Sequence, residues 1–229
     1  MINKSPLRIE RERRRRLGNR ESILQAAEEV IIRKGCAAAT MEDIARESAF
    51  SKATLYKYFP SKGELVSEIL VHFFDEIRGR LAEVEAGPGG ARGKLRRAVR
   101  MVLDFHKEKE NISRVLMMDT AVVDLFRIFV SGRGAAGSDA DQKLLSTLRR
   151  KRQEVLDTAA GIIREGIERG EFRPVNVPSA LTFIDAALQG FIQNRAWLDG
   201  EPEPAESADL LFGFILEGLG PRPKSPKET

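Results

Sequence analysis

Residues 40–62 read Thr40-Met-Glu-Asp-Ile-Ala-Arg-Glu-Ser-Ala-Phe-Ser-Lys-Ala-Thr-Leu-Tyr-Lys-Tyr-Phe-Pro-Ser-Lys62. Thr40 is a favourable N-cap residue, and Asp43 stands three residues later, where a capping box places its reciprocal carboxylate. The apolar residues at helical spacing after this cap are Met41, Ile44 and Ala45. The first half of the stretch therefore predicts a short helix that begins after Thr40.

The second half of the stretch predicts another short helix after a tight connection. Ser48-Ala49-Phe50 forms the connection, Ser51 can cap the helix, and Pro60 ends it. Leu55 and Phe59 are four residues apart and share one inward face. Two short helices joined in this way are typical of a helix-turn-helix, whose later helix enters the major groove of DNA.

The outward face of this later helix carries groups suited to duplex DNA. With Leu55 and Phe59 inward, Lys57 points most directly outward, and Ala53 and Thr54 lie beside it. A lysine can bond guanine acceptors, and a methyl group can contact a thymine methyl. The only two tyrosines, Tyr56 and Tyr58, fall on the flanks, where phosphates would stand. The alternative is that both tyrosines are amphipathic surface or core residues.

Helices are also predicted on both sides of this stretch. Apolar residues from Glu21 to Lys34 recur with helical spacing until Gly35, and Ser61 with Glu64 forms a second capping box that opens a long helix to about Glu85. After a break at residues 87–90, helices are expected at about 92–109, 111–131, 140–170, 178–199 and 205–219. No segment shows the alternation of a strand, so the chain is predicted to be all-α.

The N-terminus carries a strong positive charge. The first 20 residues have a net charge of +6, whereas the whole chain has +4. Their central cations are Arg13, Arg14, Arg15 and Arg16. Such a cluster suits a polyanion, either nucleic acid or an acidic membrane surface, although a solvated basic tail is the alternative. We expect an arm, Arg8 to Arg16, that lies along or inside a minor groove.

Composition excludes several classes of protein. Of the 229 residues, 42% are apolar and 31% are charged, which is a globular balance. The longest stretch without a charge, residues 174–184, is too short to span a membrane, and no leader is visible. The single cysteine, Cys36, fits a reducing cytoplasm and is either a small buried side chain or a redox sensor. We expect a cytoplasmic protein, associated with the nucleoid when it binds DNA.

The residues around the predicted helix-turn-helix resemble the N-terminal domain of TetR-type transcriptional regulators. The resemblance spans about residues 20–75 and is carried by the Thr40-Met-Glu-Asp-Ile-Ala run and by Ser51 to Lys62. It implies a homodimer that binds a palindromic operator and releases it when a small molecule enters a larger C-terminal domain. By position, it assigns phosphate-contacting or groove-facing roles to Thr40, Thr54, Tyr56, Tyr58 and Lys62. It assigns base-facing roles to Lys52, Ala53 and Lys57, and Ser51 belongs to the same predicted DNA-binding surface.

One residue departs from the family pattern. The family usually has glycine in the turn, where this chain has Ala49. If the backbone there requires a positive φ, alanine costs up to about 1 kcal/mol relative to glycine.

The C-terminal part resembles the family loosely. Residues 162–174 resemble the end of a long family helix, which places two further helices as the dimer pair. The predicted interface consists of Leu181, Ile184, Leu188, Phe191, Ile192, Leu211, Phe214 and Ile215, with an intramolecular core as the alternative. The predicted domains are a mobile basic arm (1–18), a three-helix helix-turn-helix domain (19–62), a ligand-binding and dimerisation domain (63–220) and a mobile tail (221–229).

A ligand site is harder to recognise. Thioethers and aromatics suit an adaptable, largely apolar cavity, although most such residues form ordinary core. The candidates are Met101, Phe105, Met117, Met118, Phe126 and Phe129. Gln193, Asn194 and Trp197 could supply polar or stacking contacts, or could line the dimer seam.

No catalytic constellation is apparent. The two histidines, His72 and His106, have neither triad nor zinc-helix spacing, and His72 with Asp75 could hold a metal or be structural. We therefore expect no enzyme activity, no cofactor and no metal. The predicted function is a ligand-responsive repressor, with a constitutive regulator, an activator, or a helical carrier or enzyme as alternatives.

Overall fold

The computed structural model describes residues 6–109, 112–113, 139–195 and 204–219, and within these ranges the backbone forms helices and connecting turns without a strand. The helices are α1 (Pro6–Lys34), α2 (Met41–Glu47), α3 (Lys52–Tyr58), α4 (Lys62–Ala86), α5 (Ala91–Glu108), α6 (Asp139–Glu168), α7 (Val177–Arg195) and α8 (Pro204–Leu219). The all-α prediction is confirmed. The helix predicted at about 111–131 lies almost wholly outside the described residues.

The chain divides into two compact units, residues 1–72 with 111–148, and residues 73–110 with 149–229. Within the described parts of both units, no helix has the length and apolar character needed to cross a membrane. Helices α4 and α6 each contribute to both units.

Helix α1 begins much earlier than the sequence pattern predicted. The apolar face was recognised from Glu21, but the helix starts at Pro6, a residue that suits a first helical position because its missing N–H would have no partner there. In the segment before Gly18, Leu7 and residues 10–17 are exposed, so the side chains described there form no buried face. Its side chains offer partial local support, since Arg14 Nε donates to Glu10 Oε1 at 3.1 Å. Most of the predicted arm is therefore helical.

The first unit packs α1, α2 and α3 around a small apolar core. Its fully buried side chains include Ile23, Val30, Ile44, Leu55 and Phe59. Cys36 is also buried, as expected for a small packing residue. The core therefore fixes the inward faces of all three helices.

Side-chain caps define where the short helices begin. Thr40 Oγ1 accepts from Asp43 N at 3.1 Å, while Thr40 N donates to Asp43 Oδ2 at 3.2 Å, so the capping box is complete. Ser51 Oγ accepts from Thr54 N at 3.1 Å. Ser61 Oγ accepts from Glu64 N at 3.2 Å at the start of α4. All three predicted caps are confirmed.

The turn between α2 and α3 has the geometry that makes alanine unfavourable. Ala49 has φ = 57°, in the left-handed region that favours glycine. Alanine adopts this conformation at a cost of about 1 kcal/mol relative to glycine. The flanking caps and the packing of α2 and α3 hold the turn despite this strain.

The second unit has an apolar core formed by α5, α7, α8 and the C-terminal parts of α4 and α6. Its fully buried side chains include Leu103, Phe105, Ile162, Ile163 and Phe172. Residues 162–174, whose pattern resembled the end of a long family helix, contact several helices of this unit.

Three contacts close the end of α6. Phe172 lies against Gly166 so tightly that a Cβ on that glycine would be 2.0 Å from Phe172 Cδ2. Glu171 accepts hydrogen bonds from Ala91 N and Arg92 N at 3.1 and 2.9 Å, which caps α5. Arg173 N donates to Leu219 O at 2.9 Å at the end of α8. The segment therefore joins three helices of this unit.

Candidate nucleic-acid interface

The outer face of α3 has the orientation that the helical wheel predicted. Ala53 and Lys57 are exposed, Tyr56 is 42% exposed, and Leu55 and Phe59 are fully buried. Helix α3 has only seven residues. Leu55 within it and Phe59 directly after it anchor one side of the helix and leave the opposite face free. That face presents a primary amine, a methyl group and a phenol, the groups expected of a duplex-reading surface.

Two hydroxyl groups at the start of α3 are engaged with each other. Ser51 Oγ and Thr54 Oγ1 are 2.8 Å apart, and Thr54 is half-buried. Lys52 is exposed, with its Nζ 3.5 Å from Glu42 Oε2. Ser51 therefore serves first as a cap, while Lys52 remains accessible at the edge of the surface.

An ion pair orders the entrance to α2 beside Thr40. Lys34 Nζ donates to Asp43 Oδ1 at 2.7 Å, and Thr40 Oγ1 donates to Asp43 Oδ2 at 2.8 Å. These hydrogen bonds, with that from Lys34 the larger cause, lower the pKa of Asp43 to about 2. Thr40 is exposed, but its single hydroxyl proton goes to Asp43 Oδ2, so donation to a phosphate oxygen requires it to exchange that hydrogen bond.

Tyr58 is tied to α1 by its phenol and by its backbone. Asn19 Nδ2 donates to Tyr58 Oη at 3.0 Å, and Arg20 donates through a terminal nitrogen to Tyr58 O at 3.0 Å. The ring also contacts Phe50, with centroids 6.4 Å apart. The hydroxyl accepts from Asn19 and retains its own proton, which it can donate to a phosphate oxygen.

Arg20 is a positioning residue that sequence reasoning missed. Its Nε donates to Glu68 Oε1 at 2.6 Å, a second nitrogen donates to Glu68 Oε2, and Cζ lies 4.3 Å from the centroid of the Phe59 ring. Hydrogen bonding to Glu68 raises the pKa of Arg20 above its ordinary value. Arg20 contributes to the positive charge of the first 20 residues, but its guanidinium joins α1, the end of α3 and α4.

Lys62 occupies a different place from the one that the resemblance implied. Its ammonium donates to the backbone oxygens of Cys36, Ala37 and Ala39 at 2.8, 3.2 and 3.0 Å. An ammonium has three donors, so these carbonyls use all of them. Lys62 therefore ties the start of α4 to the turn after α1.

The four arginines of the basic run, Arg13 to Arg16, are exposed on α1. Arg14 is paired with Glu10. They precede Asn19 and Arg20 on the same helix, and so continue toward the N-terminus from the contacts with Tyr58.

Most members of the predicted dimer stripe contact the core of their own unit, and their role in a dimer stays a prediction. Leu181 and Leu188 are buried, whereas Phe214 is 67% exposed. The half-buried members that pack on the core of the same unit are Ile184, Phe191, Ile192, Leu211 and Ile215. Two further apolar side chains are exposed: Leu210 on α8, 59% exposed, and Phe183 on α7, 77% exposed. The predicted interface did not include them.

The ligand candidates are only partly described. Phe105 is fully buried, with its ring centroid 4.9 Å from that of Phe73, and Met101 is half-buried against the core. The side chains of Met117, Met118, Phe126, Phe129, Gln193, Asn194 and Trp197 lie outside the described residues.

The two histidines lie in different environments. Burial lowers the pKa of His106 to about 4. His72 is exposed, and Asp75 accepts from Lys151 Nζ at 2.6 and 2.8 Å instead of joining His72.

Comparison with known proteins identifies the family. The sequence profile described as bacterial regulatory proteins, tetR family, matches residues 23–69, which contain the helix-turn-helix and the start of α4. The transcriptional repressor KstR2 of Rhodococcus jostii is 33% identical over 210 residues, covering 88% of this chain and 91% of that protein. This chain belongs to the TetR family of transcriptional regulators.

Solved TetR-family structures have the same fold. FadR from Bacillus subtilis, in complex with stearoyl-CoA, superposes with a TM-score of 0.71 at 18% identity, covering 87% of this chain and 98% of FadR. KstR2 from Mycobacterium tuberculosis gives a TM-score of 0.63 at 21% identity, covering 88% and 95%. The described geometry of α3 and the family together make the protein a DNA-binding transcriptional regulator.

Proposed function

We propose that this protein is a homodimeric repressor that binds a palindromic operator and leaves it when an apolar small molecule binds. The observation that carries the proposal is the free face of α3, where Ala53, Tyr56 and Lys57 are exposed while Leu55 and Phe59 fix the helix from behind. The similarity to KstR2, named as a repressor, supports the sign of regulation.

The proposed contacts separate into two kinds. Lys52, Ala53 and Lys57 face base edges: all three are exposed, Ala53 and Lys57 on the outer face of α3 and Lys52 at its edge, where the family resemblance places a base contact. Tyr56 and Tyr58 on the flanks and Thr40 at the start of α2 bind phosphates. Lys62 is omitted from this interface because its three donors bind the carbonyls after α1.

A dimer follows from the length of α3 and from the exposed side chains of the second unit. One seven-residue helix reads few base pairs, and two-fold symmetry doubles the site. Phe183, Leu210 and Phe214 expose apolar rings or branches on α7 and α8, and burial against a second copy would remove this surface from water. Two half-sites about one helical turn, roughly 34 Å, apart are expected.

The proposed effector is a long-chain acyl compound. FadR, which shares the fold, holds stearoyl-CoA, and the buried Phe105 with the half-buried Met101 fits an apolar chain better than a polar ligand. Stearoyl-CoA is therefore the first probe, and free coenzyme A is its matched control.

Release would occur by a population shift. In one conformation of the dimer, the two α3 helices no longer match successive major grooves. A ligand that binds this conformation more tightly lowers the affinity for the operator. Helix α4 is the proposed carrier of the motion, because Lys62 ties its start to the turn after α1 and Glu68 ties its second turn to Arg20 of α1.

The test begins with selection of bound duplexes from a randomised library at about 150 mM salt, where weak contacts of mobile charges are largely screened. Enrichment of a palindrome supports the operator-binding dimer, and loss of that complex with stearoyl-CoA but not with coenzyme A supports the effector class. A palindrome that no acyl-CoA releases would favour a constitutive regulator or an activator. No enrichment would favour a helical carrier.

A further inference from the structure

The basic arm is part of a continuous helix, so its arginines have fixed directions. In an α-helix, residues three and four apart share a face. Arg13, Arg16 and Arg20 are separated by three and four residues and share one face of α1. The opposite face consists of Leu7, Arg11, Arg14, Arg15 and Gly18. The run of four arginines is therefore divided between different sides of the helix.

Contacts at residues 19 and 20 identify which side faces the recognition helix. Asn19 donates to the Tyr58 hydroxyl, and Arg20 donates to the Tyr58 carbonyl and to Glu68. Arg16 lies one turn further toward the N-terminus on this side, and Arg13 nearly two turns, roughly 10 Å along the axis at 1.5 Å per residue. Both lie on this side of α1, which they share with the carboxylate of Glu12, four residues before Arg16.

The two sides differ in their free charge. Arg13 and Arg16 are exposed and form no ion pair or hydrogen bond with another described side chain, whereas Arg14 is paired with Glu10. Leu7 is 73% exposed on the same side as Arg14, which interrupts the charge there. Arg11 and Arg15 are likewise exposed, so direction along the helix, and not free charge alone, distinguishes Arg13 and Arg16.

A helical arm also limits where on DNA it can lie. An α-helix with its side chains is about 10–12 Å wide, and the minor groove of B-DNA is about 6 Å wide. A position inside the minor groove, which the sequence analysis allowed, is therefore excluded for an arm that remains helical on DNA. Such an arm can cross the sugar-phosphate backbone, where arginine binds phosphate oxygens with two donors.

We infer that Arg13 and Arg16 bind the phosphates beside each half-site as a rigid extension of α1, while Arg11 and Arg14 remain in solvent. This inference rests on the proposed operator binding. Phosphate contacts position a protein without reading bases. The two arginines therefore add affinity to any duplex and leave the preferred sequence unchanged.

Two double variants of the full-length protein test this inference. Arg13→Ala with Arg16→Ala and Arg11→Ala with Arg14→Ala each remove two charges from the same helix. Fluorescence anisotropy with the selected operator from 50 to 200 mM salt gives the slope of log affinity against log salt. Each lost phosphate contact reduces this slope by about 0.9, so the first variant, which loses two contacts in each of the two subunits, should lose about 3.6 and the second far less. Equal losses would mean a diffuse tail and would overturn the inference.

Gly18 provides a second test that separates a rigid arm from a flexible one. A Cβ at this position would have no atom within 4 Å, so Gly18→Ala preserves the helix without a clash. Gly18→Pro interrupts it. We expect Gly18→Ala to bind like the wild type and Gly18→Pro to lose as much slope as the Arg13 and Arg16 double variant. Equal slopes for the two Gly18 variants would contradict a rigid extension.

The controls distinguish this inference from the proposed function. If the wild type enriches no duplex, operator binding itself fails. If it enriches a palindrome but both double variants have the wild-type slope, only the role of the arm fails. Binding of the wild type to anionic vesicles that operator DNA does not displace would assign the arginines to a membrane and overturn the inference.

Discussion

The recognition helix α3 and the C-terminal helices α7 and α8 acquire their exposed faces in different ways. Two inward residues, Leu55 and Phe59, and one side-chain cap, Ser51, determine which side of α3 is free. Helices α7 and α8 have apolar residues on more than one side, so periodicity alone does not distinguish the side that packs internally from the side that faces outward. Polar caps thus give sharper positional information than apolar stripes.

The largest expected effect concerns the close packing at the end of α6. Gly166→Ala should reduce the free energy of unfolding by about 3 kcal/mol or more, because its Cβ would meet the fully buried Phe172 ring at 2.0 Å. Urea denaturation measures the loss. Gly79→Ala is the matched control, since no atom lies within 4 Å of its added Cβ, and helix propensity predicts a small gain. Equal behaviour of the two variants would show that α6 does not require glycine there.

The next prediction separates core from interface on α7 and α8. Leu188→Ala should destabilise each subunit by about 3 kcal/mol because Leu188 is buried in the core. Phe214→Ala should leave the helical content unchanged and weaken self-association, since the ring is exposed on the subunit. Circular dichroism and sedimentation equilibrium measure the two effects. If Leu188→Ala instead dissociates a folded dimer, the predicted stripe was an interface after all.

A pH titration tests the polarity of the C-terminal core. The folded-state pKa of His106 is about 4, below the ordinary value of 6.5, so the unfolded chain binds more protons between these values. Stability attributable to His106 is present above pH 6.5 and falls by about 2 kcal/mol by pH 5. Urea denaturation at both pH values measures this loss. His106→Leu should remove that part of the pH dependence, and an unchanged dependence would place a normal histidine there.

The smallest effect concerns the turn before α3. Ala49→Gly should raise the free energy of unfolding by about 1 kcal/mol, because φ at this residue is 57°. Ala53→Gly in the exposed part of α3 should lower it by a similar amount through helix propensity. Thermal unfolding of both variants provides the comparison. A loss of stability in the Ala49 variant would mean that the turn does not need a left-handed residue.

The predictability of each region follows from how local its determinants are. The caps at Thr40, Ser51 and Ser61 depend on residues three positions apart, so the sequence predicted where three helices begin. The outward direction of Lys57 followed from Leu55 and Phe59 in the same way. For Ala49, the sequence predicted a loss of stability relative to glycine if the turn requires a positive φ. The φ of this residue is positive, so the condition is met.

Long-range partners were not predictable from such patterns. Arg20 meets Glu68 across 48 positions and Lys62 meets Cys36 across 26, and nothing local distinguishes these cations from DNA-facing ones. The early start of α1 was missed because residues 10–18 are all exposed and so create no apolar periodicity. The roles assigned to single residues in DNA and effector binding stay predictions. Lys62 binds the carbonyls of the turn after α1.

The most direct test of the central claim is the base preference of Lys57→Ala relative to the wild type. Both proteins are used to select duplexes from the same randomised library at the same salt concentration, with Arg16→Ala as the control. If the α3 face reads bases and the arm binds phosphates, Lys57→Ala relaxes the preference at one or two positions in each half-site, while Arg16→Ala binds more weakly to the wild-type palindrome. An identical consensus and affinity for Lys57→Ala and the wild type would contradict the assignment of α3 as the reading surface.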